Sequence, residues 1–372
     1  MTKGKIRLFL DAHLFDDPLQ GSRTHLLGLY TELIRQDTII EFYFGAFNIE
    51  NLRKEFGDHS QIRYIKYITR NKYVRLIFDI PYIILKYRID ISHYQYITPL
   101  LKLSREIVTI HDVLFIDFPE LFPIGYRVKN RFFFKRSARR ADVLLTVSDY
   151  SRNRIAEHFK ISEEDIIVIH NAVSADFFEP AGELPDVKIK FGLGNYILYV
   201  SRIEPRKNHI MLLKAFVELK LWEKNFQLVL IGGRAIPSVD FDDYLNSLSD
   251  KIRATVYLID SSYGNELKSF YRNCRLFVFP SIAEGFGIPP LEAVASNTPM
   301  ICSKSTAMGE FKFLNDRMFD PTSLDDLKEK ITEYLGNTTG YSNNELDFIR
   351  LNYNWQDAAK HFYRILLESG LK

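Results

Sequence analysis

The chain has few of the features that mark specialised classes of protein. Only two of its 372 residues are cysteines, Cys274 and Cys302, and both stand in apolar runs. Two such cysteines exclude a disulfide framework and a cysteine-based zinc site, and they indicate a reducing compartment. The formal net charge is only +2, so no overall field favours nucleic acid. We therefore expect no nucleic-acid partner.

Long apolar runs and clustered metal ligands are also missing. The apolar run in MTKGKIRLFLDAH is too short for a secretory signal, and no uncharged run approaches the roughly 20 residues that span a bilayer. The carboxylate pair Asp240-Phe241-Asp242 matches a metal motif but does not end an apolar strand, so we interpret it as a chance match at the start of a surface helix. We expect a cytoplasmic protein without a bound metal or cofactor, which at most lies on a membrane.

The composition that remains is that of a globular protein, with 46% hydrophobic and 26% charged residues. Short runs rich in β-branched and aromatic residues, such as KIRLFL, REIVTIHD, NYILYVSR and LFVFPS, predict strands. Helical patterns near 22–36, 72–87, 125–140, 149–159, 207–220, 241–252, 264–274 and 289–296 separate most of these runs. The alternation predicts parallel sheets covered by helices, and the tail at 323–369 reads as nearly all helix.

The alternation is interrupted once, at SADFFEPAGELPD (174–186), where prolines and acids suggest a linker. We therefore predict an α/β protein of two doubly wound Rossmann-like domains, 1–178 and 179–355, with the helix at about 356–372 packed back on the first. Such halves are expected to face each other across a cleft, with ligands at the carboxyl ends of the strands.

One short stretch, PSIAEGFGIPPLEA (280–293), combines two acids with a glycine-rich turn. It follows a predicted buried strand and leads into a helix whose first turn tolerates proline. The glycines let the backbone approach a ligand, and the amides of Phe286, Gly287 and Ile288 would point out of the helix N-terminus. Amides in that arrangement suit a phosphate.

The two acids, Glu284 and Glu292, have seven residues between them. Taken singly, each could be structural: Glu284 as a solvated loop acid, and Glu292 as an acid in the first helical turn that complements the helix dipole. Arg202 and Lys207, in SRIEPRKN (201–208), fall at the carboxyl edge of the predicted C-terminal sheet, with Asn208 as the candidate N-cap. Alone, these two cations would be read as solvated surface residues.

Together these pieces resemble glycosyltransferase family 4. The match rests on EGFGIPPLE (284–292) in its strand–turn–helix context, on SRIEPRKN, and on VIHNAV (168–173), LVLIGG (228–233) and YRNCRLFVFPS (271–281). In the first half, TIHDVLFIDFPELFP (109–123) resembles a segment of bacterial polysaccharide mannosyltransferase-like members. The resemblance implies the GT-B fold and covers essentially the whole chain.

The resemblance also implies roles for single residues. Glu284 would contact hydroxyls of the donor sugar, Glu292 the nucleotide ribose, and Arg202 and Lys207 the donor pyrophosphate. Gly21 would bring the first-strand loop close to the phosphates, and His111, beside Asp112, would line the sugar pocket. Arg23 and Asp112 are candidates for the acceptor side.

The expected function is that of a retaining, metal-independent glycosyltransferase. It would move a hexose, by preference mannose from GDP-mannose, from a nucleoside-diphosphate sugar to a polysaccharide or lipid-linked acceptor. Two cations and a helix N-terminus can hold the leaving diphosphate without a metal. Two alternatives are a nucleotide-sugar 2-epimerase, which needs no acceptor, and a non-catalytic nucleotide-sugar-binding subunit.

A basic segment, GYRVKNRFFFKRSARR (125–140), holds seven Lys/Arg and no acid. On a helix, Arg127, Arg131, Lys135 and Arg139 form one stripe, and Val128 and Phe132 fall within the basic side. Phe133, Phe134, Tyr126 and Ala141 would form the core face. Basic residues with embedded apolar ones suit an anionic lipid surface, here the inner face of the plasma membrane. A solvated helix, or one that meets a phosphate-bearing acceptor, is the alternative.

Overall fold

The computed structural model describes residues 5–16, 21–36, 39–179, 184–336 and 341–370. Part of the expected linker, residues 180–183, lies outside the described residues. The chain forms two compact units. The first unit comprises residues up to Ala172 and those from Trp355 onward, and the second unit runs from Val173 to Asn354. The division therefore lies a few residues before the predicted boundary at 178/179, because Val173 already pairs with Asn354 in the second unit.

The first unit is built on a parallel sheet whose described strands have the order β3-β2-β1-β4-β5-β6-β7. The strands are β1 (Ile6–Asp11), β2 (Ile40–Ala46), β3 (Ile62–Lys66), β4 (Ile91–Gln95), β5 (Arg105–Thr109), β6 (Val143–Thr146) and β7 (Ile166–Val168). The order reverses between β1 and β4, and at such a switch point neighbouring loops part and leave room for a ligand.

Helices cover both faces of this sheet. They are α1 (Gly21–Arg35), α2 (Ile49–Phe56), α3 (Lys72–Val74), a π-helical turn (Arg75–Asp79) continuing into α4 (Ile80–Tyr87), α5 (Leu114–Asp117), α6 (Ile124–Arg140) and α7 (Asp149–Phe159). Successive side chains of β1 alternate between faces. Leu8 and Leu10 therefore join the core beneath α1, whereas Phe9 joins the core beneath α4.

The second unit repeats this plan with a parallel sheet of order β10-β9-β8-β11-β12-β13 among the described strands. These are β8 (Asn195–Val200), β9 (Phe226–Ile231), β10 (Val256–Ile259), β11 (Leu276–Phe279), β12 (Met300–Ser303) and β13 (Met318–Phe319). The helices are α8 (Val187–Phe191), α9 (His209–Glu218), α10 (Val239–Ser247), α11 (Asp250–Arg253), α12 (Gly264–Asn273), α13 (Ile288–Ala295), α14 (Leu324–Gly336) and α15 (Asn343–Asn352). The switch point lies between β8 and β11.

The last helix, α16 (Trp355–Gly370), returns to the first unit and packs on α1. The indole of Trp355 lies directly over Gly28, where a Cβ would come within 2.2 Å of its ring. A glycine is thus required on this face of α1.

The two-domain parallel α/β fold predicted from the sequence is confirmed. Each predicted helix is present within a few residues, although the pattern at 241–252 is divided into α10 and α11. The helix α2 and the two-residue strand β13 were not predicted. Among the described helices, none combines the length and the apolarity that a membrane crossing requires.

Candidate functional site

In the second unit, Lys207 and Glu284 form a buried ion pair at the switch point. Lys207 ends a 3-10 turn (Pro205–Lys207) between β8 and α9, and Glu284 lies in the loop between β11 and α13. Because β8 and β11 are neighbours in the sheet, the loops at their carboxyl ends meet. Nζ of Lys207 lies 2.5 Å from Oε1 of Glu284. Two residues singled out from the sequence are thus in direct contact.

A second cation, Arg206, also holds Glu284 and was missed in the sequence analysis. Its Nη1 donates to Oε2 of Glu284 at 3.0 Å and to the carbonyl of Ala283 at 2.9 Å. Its Nη2 lies 2.7 Å from Oε1 of the buried Glu204. The pattern EPRK contains both cations, but only the three-dimensional turn shows that both of them point at Glu284.

Arg202, the other predicted diphosphate cation, is less constrained. Its Nη2 is 3.9 Å from Oε2 of Glu204, and 42% of its side chain is exposed. The described cluster therefore contains three cations (Arg202, Arg206 and Lys207) against two carboxylates (Glu204 and Glu284). The excess positive charge can receive an anion, and Arg202 is free to turn toward one.

The electrostatics fix the ionisation of Glu284. Burial alone would raise its pKa, but Lys207 and Arg206 outweigh that effect and hold the pKa at about 2. The pKa of Lys207 is lowered by burial and by Arg206, while Glu284 and Glu204 oppose the shift. Glu284 is consequently a firmly ionised acceptor, which is the state that binds sugar hydroxyls.

Asn208 occupies the N-cap position of α9 but does not act as a cap, so that expectation was wrong. Its backbone is left-handed, with φ at +57°, and its side chain makes no capping bond. Its Nδ2 instead donates to the carbonyl of Pro321 at 2.9 Å. The side chain ties the turn to a neighbouring loop.

The turn before α13 depends on Gly287. Its φ is +116°, and a Cβ there would come within 2.3 Å of the sulfur of Met308. The ring of Phe286 is only 5% exposed and packs against Phe311 and Tyr353. The buried ring of Phe286 thus fixes the position of the turn. The backbone of Phe286 and Gly287 leads directly to Ile288, the first residue of α13.

Glu292 lies on α13, just beyond the first turn in which the sequence placed it. It is the fifth residue of the helix, so its predicted place in the first turn was wrong. The hydroxyl of the buried Tyr271 donates to its Oε2 at 2.7 Å. Burial raises the pKa of Glu292 to about 7, although the Tyr271 hydrogen bond opposes the shift. Because this pKa lies near neutral pH, a group that hydrogen-bonds the ionised carboxylate would strongly change the fraction of Glu292 that is ionised.

In the first unit, His111 follows β5 and is buried and neutral. Its Nε2 lies 2.7 Å from Oε1 of Gln95, at the end of β4. An amide oxygen only accepts, so Nε2 carries the proton and Nδ1 is the basic nitrogen. Burial, followed by the nearby His25 and His93, lowers the pKa of His111 well below its usual value.

Gln95 links His111 to a buried polar chain. Nε2 of Gln95 lies 3.2 Å from Nε2 of His93, which also lies 2.8 Å from Oγ1 of Thr109. The opposite nitrogen, Nδ1, is 2.9 Å from the hydroxyl of Tyr30. Since the Gln95 amide donates to Nε2, His93 must donate from Nδ1 to Tyr30. Each member of the chain fixes the orientation of the next, and the chain fixes His111.

The remaining predicted residues of the first unit occupy separate positions. Nη2 of Arg23 donates to Oε1 of Glu55 at 2.8 Å, and its guanidinium lies over the Phe15 ring. Oδ1 of Asp112 accepts from the amide of Leu114 at 3.2 Å. Gly21 is exposed at the start of α1, and a Cβ there would meet no described protein atom within 4 Å. The protein itself therefore gives no steric reason for glycine at that position.

The basic helix α6 differs in part from its predicted pattern. Its buried face consists of Asn130, Phe134, Ser137 and Ala138. Tyr126, assigned to the core face, is 46% exposed, because it stacks on Phe122 at the edge of the core. Val128 and Phe132 project outward as predicted.

The cations of α6 divide into two groups. Arg136 and Arg140 donate to backbone carbonyls at 98–100, and Arg139 donates to the carbonyl of Phe159. In the part of the chain that the structure describes, no ion pair involves Arg127, Arg131 or Lys135. These three are available to an outside anion.

Within the described ranges, no group of three or more His, Cys, Asp or Glu side chains could hold a metal ion.

Two family models match the chain in succession. The model for glycosyltransferase family 4 matches residues 19–177, and the model for glycosyl transferases group 1 matches residues 183–355. The matched segments fall on the two parallel-sheet units, the arrangement that defines GT-B glycosyltransferases. The chain belongs to glycosyltransferase family 4.

Curated relatives and solved structures agree with this membership. The chain is 35% identical over 207 residues to the O-antigen chain mannosyltransferase RfbU of Salmonella typhimurium, covering 55% of this chain and 53% of that one. It is 32% identical over 247 residues to the O-antigen chain mannosyltransferase B of Escherichia coli, covering 63% and 62%. These alignments thus span only about half to three-fifths of each relative's length. Anabaena HepE, solved in complex with UDP-glucose, has the same fold, with a TM-score of 0.74, 16% identity, and coverage of 97% and 99%.

Proposed function

We propose that the chain is a retaining, metal-independent glycosyltransferase that uses GDP-mannose. It would transfer the mannose to a polysaccharide or lipid-linked acceptor. The observation that carries the proposal is the charged cluster at the switch point of the second unit, in which Arg206 and Lys207 hold Glu284 and Arg202 lies beside Glu204. The mannosyltransferase names of two relatives support the sugar, and the complex of HepE with UDP-glucose supports a nucleotide-sugar donor.

Donor binding is assigned to the second unit, residues 179–355 of the sequence-based division. Arg202 and Lys207 bind the diphosphate, together with the backbone of Phe286, Gly287 and Ile288 at the start of α13. Glu284 accepts hydroxyl hydrogens of the sugar. Glu292 accepts those of the ribose.

Acceptor handling is assigned to the first unit, with the end helix that packs on it. Gly21 leaves space for a phosphate at the start of α1, and His111 contributes to the sugar pocket. Arg23 and Asp112 are placed on the acceptor side. The neutral state of His111 suits a group that accepts or donates a hydrogen bond without adding charge.

The proposed transfer reaction depends on the same cations that bind the donor diphosphate. As the bond between the sugar C1 and the phosphate oxygen breaks, negative charge grows on the leaving diphosphate, and Arg202 and Lys207 stabilise it. The acceptor hydroxyl attacks C1 on the face that the diphosphate leaves, and its proton passes to a phosphate oxygen. Glu284 is a poor nucleophile because two cations hold its charge. This favours front-face attack, with retention, over a covalent intermediate.

The proposed location is the cytoplasmic face of the plasma membrane. Arg127, Arg131 and Lys135 of α6 would meet anionic lipid headgroups while Val128 and Phe132 contact the interface. A lipid-linked acceptor would be presented at that surface.

Two measurements test this function. Melting temperatures with GDP-mannose, UDP-glucose, ADP-glucose and the free diphosphates should rise most with GDP or GDP-mannose. Proton NMR of the product should then show an anomeric configuration equal to that of the donor. A preference for another base would overturn the donor assignment. Conversion of GDP-mannose to an epimer without acceptor would overturn the reaction class, and binding without any turnover would leave only a binding subunit.

A further inference from the structure

A cavity of about 390 Å³ opens in the first unit at its own switch point. Its wall includes His13, which follows β1, and Gln95 and Tyr96 at the end of β4. The opposite wall comes from Lys72 and Arg75 and from Lys129 of α6. In a doubly wound sheet this is where a ligand is received. Tyr96 has φ at +63°, an uncommon conformation for an aromatic residue that often accompanies a functional site.

Positive charge is concentrated in this cavity. The ammonium groups of Lys72 and Lys129 lie 5.6 and 5.3 Å from the centre of the same ring, that of Tyr73. Across the described ranges, neither lysine forms an ion pair with an acidic side chain. The two like charges are therefore neighbours without a compensating carboxylate.

The third cation, Arg75, is buried and pairs with Asp11, a carboxylate that also contacts other side chains. Its Nε lies 3.4 Å from Oδ2 of Asp11. Oδ1 of the same carboxylate lies 3.2 Å from Nδ1 of His13 and accepts from the Tyr67 hydroxyl at 2.8 Å. Asp11 and the buried Asp79 both interact with Arg75, so among the described residues the positive charge without a carboxylate partner lies on Lys72 and Lys129.

The surroundings of Lys72 disfavour its charged form. Burial, together with Lys129 and Arg75, lowers the pKa of Lys72 to about 8. An anion that enters the cavity would reduce the repulsion between these cations, because no protein carboxylate balances the two lysines. The buried amides of Gln95 and Asn130 add hydrogen-bonding groups to the lining of the cavity.

Exposed apolar side chains lie on the helices that carry the cations of the cavity. Ile77 and Phe78 are 45% and 62% exposed in the helical run of Lys72 and Arg75. Ile124 and Val128 are 73% and 69% exposed on α6, the helix of Lys129. A ligand with an anionic group in the cavity could therefore place an apolar part along this surface.

We propose that this cavity binds the phosphate or diphosphate group of a phosphate ester through Lys72, Arg75 and Lys129. Its role as part of the acceptor rests on the proposed function. The anion binding itself does not. The phosphate can come from an amphiphilic ester, such as a prenyl diphosphate, or from a small soluble anion. The neighbouring apolar side chains favour the ester.

The test is calorimetry with a short-chain prenyl diphosphate and with inorganic pyrophosphate, in the presence of saturating GDP to occupy the second unit. The variants are Lys72→Gln and Lys129→Gln, and the matched control is Lys135→Gln. Lys135 lies on the same helix as Lys129 but not on the cavity wall. We expect each cavity variant to weaken binding about tenfold or more, since charged hydrogen bonds are lost. The control should bind as the wild type does.

The outcomes separate the possible sources of the phosphate. Binding of both probes, weakened by the cavity variants, supports a site for any small anion. Binding of the prenyl diphosphate alone supports the ester. Equal affinity in all variants, or no binding by the wild type, overturns the proposal. So does binding that appears only with anionic vesicles and falls equally in Lys135→Gln, because the lysines would then serve a membrane surface.

Two further readouts guard against misfolding and against confusion with donor binding. Lys129→Gln should keep or raise the melting temperature, because a repulsion is removed, while prenyl diphosphate binding falls. GDP binding without the other probes should be unchanged in both cavity variants. If the wild type does not bind GDP, the proposed function fails, and the comparison of cavity variants with Lys135→Gln still decides the cavity.

Discussion

The ammonium of Lys207 lies 2.5 Å from Oε1 of Glu284, and both side chains are buried. The pair joins the loops that follow two neighbouring strands, β8 and β11. Arg206 completes it from the other carboxylate oxygen. This contact gives Glu284 a structural role in the turn in addition to its proposed role as sugar ligand. The first role should affect stability, and the second should affect binding of the donor sugar.

The first prediction concerns acid stability. The folded pKa of Glu284, about 2, is below its unfolded value of 4.5. Its contribution is therefore fully present above pH 4.5 and is lost as the pH falls toward 2. Glu284→Gln should lower the free energy of unfolding at pH 7 by about 3 kcal/mol, and by less at pH 2.5.

Urea unfolding at several pH values measures this effect. Glu333→Gln is the control, because Glu333 forms only an exposed pair with Lys330, which contributes less than about 1 kcal/mol. A Glu284→Gln variant that loses the same stability at pH 2.5 and at pH 7 would contradict the assigned ionisation.

The second prediction concerns Glu292 and has the opposite sign. Its folded pKa, about 7, is above its unfolded value of 4.5. The folded protein thus keeps a proton that the unfolded chain has lost, and stability should fall as the pH rises from 4.5 to 7. Glu292→Gln mimics the protonated group, so at pH 8 it should exceed the wild type in stability by on the order of 1–3 kcal/mol.

The same carboxyl should couple nucleotide binding to pH. If the ribose hydroxyls donate to ionised Glu292, GDP affinity should increase between pH 5.5 and 8 more in the wild type than in Glu292→Gln. Ionisation of the diphosphate itself contributes equally to both proteins. Identical pH profiles by calorimetry would remove Glu292 from the ribose site.

The sequence predicts the secondary structure of this protein better than it predicts the contacts between side chains of the candidate site. The strands and long helices follow from periodicity, because burial of one face imposes it, and α6 and α7 were located almost to the residue. The strand β13 has only two residues, too few for a period to appear, whereas the helix α2 was overlooked although its buried Leu52 and Phe56 are four residues apart. The positions of Lys207 and Glu284 beside each other follow from strand order, which the motif alone does not give.

Side-chain direction within a turn is what the sequence could not supply. Arg206 and Lys207 are adjacent in the chain, yet both reach Glu284, and Asn208 turns away from the helix that it precedes. Phe286 sits in a glycine-rich motif that suggests exposure, but Phe311 and Tyr353 bury it. These outcomes depend on loops distant in sequence.

The third prediction concerns metal dependence. Because Arg202, Lys207 and the start of α13 are proposed to stabilise the leaving diphosphate, turnover of GDP-mannose should survive EDTA. Initial rates with and without chelator measure this, and an unchanged melting temperature in EDTA is the control. Loss of activity that Mg²⁺ or Mn²⁺ restores would refute the metal-independent mechanism.

The fourth prediction concerns the membrane. Replacement of Arg127, Arg131 and Lys135 by Glu should abolish co-sedimentation with anionic vesicles, because each cation contributes about 1 kcal/mol near such a surface. The wild type should bind anionic vesicles, bind less at high salt, and not bind neutral ones.

A matched triple variant in the second unit, Lys214→Glu, Lys220→Glu and Lys224→Glu, makes the same charge change on exposed lysines and should still bind. Equal sedimentation of the two triple variants would mean that net charge, not α6, determines the interaction. Absence of wild-type binding to any vesicle would end the membrane proposal.

The most direct test of the account is calorimetric titration of GDP into the wild type, Arg202→Ala, Lys207→Ala and Glu284→Gln. If the two cations bind the diphosphate, each alanine variant should lose roughly 1.5–3 kcal/mol of binding free energy, and Glu284→Gln should lose little because the sugar is absent. Lys220→Ala, on the same unit, should match the wild type. Arg202 is largely exposed, so its loss of affinity should occur without a loss of stability. Unchanged GDP affinity in Arg202→Ala and Lys207→Ala, or equal losses in all three variants, would contradict the account.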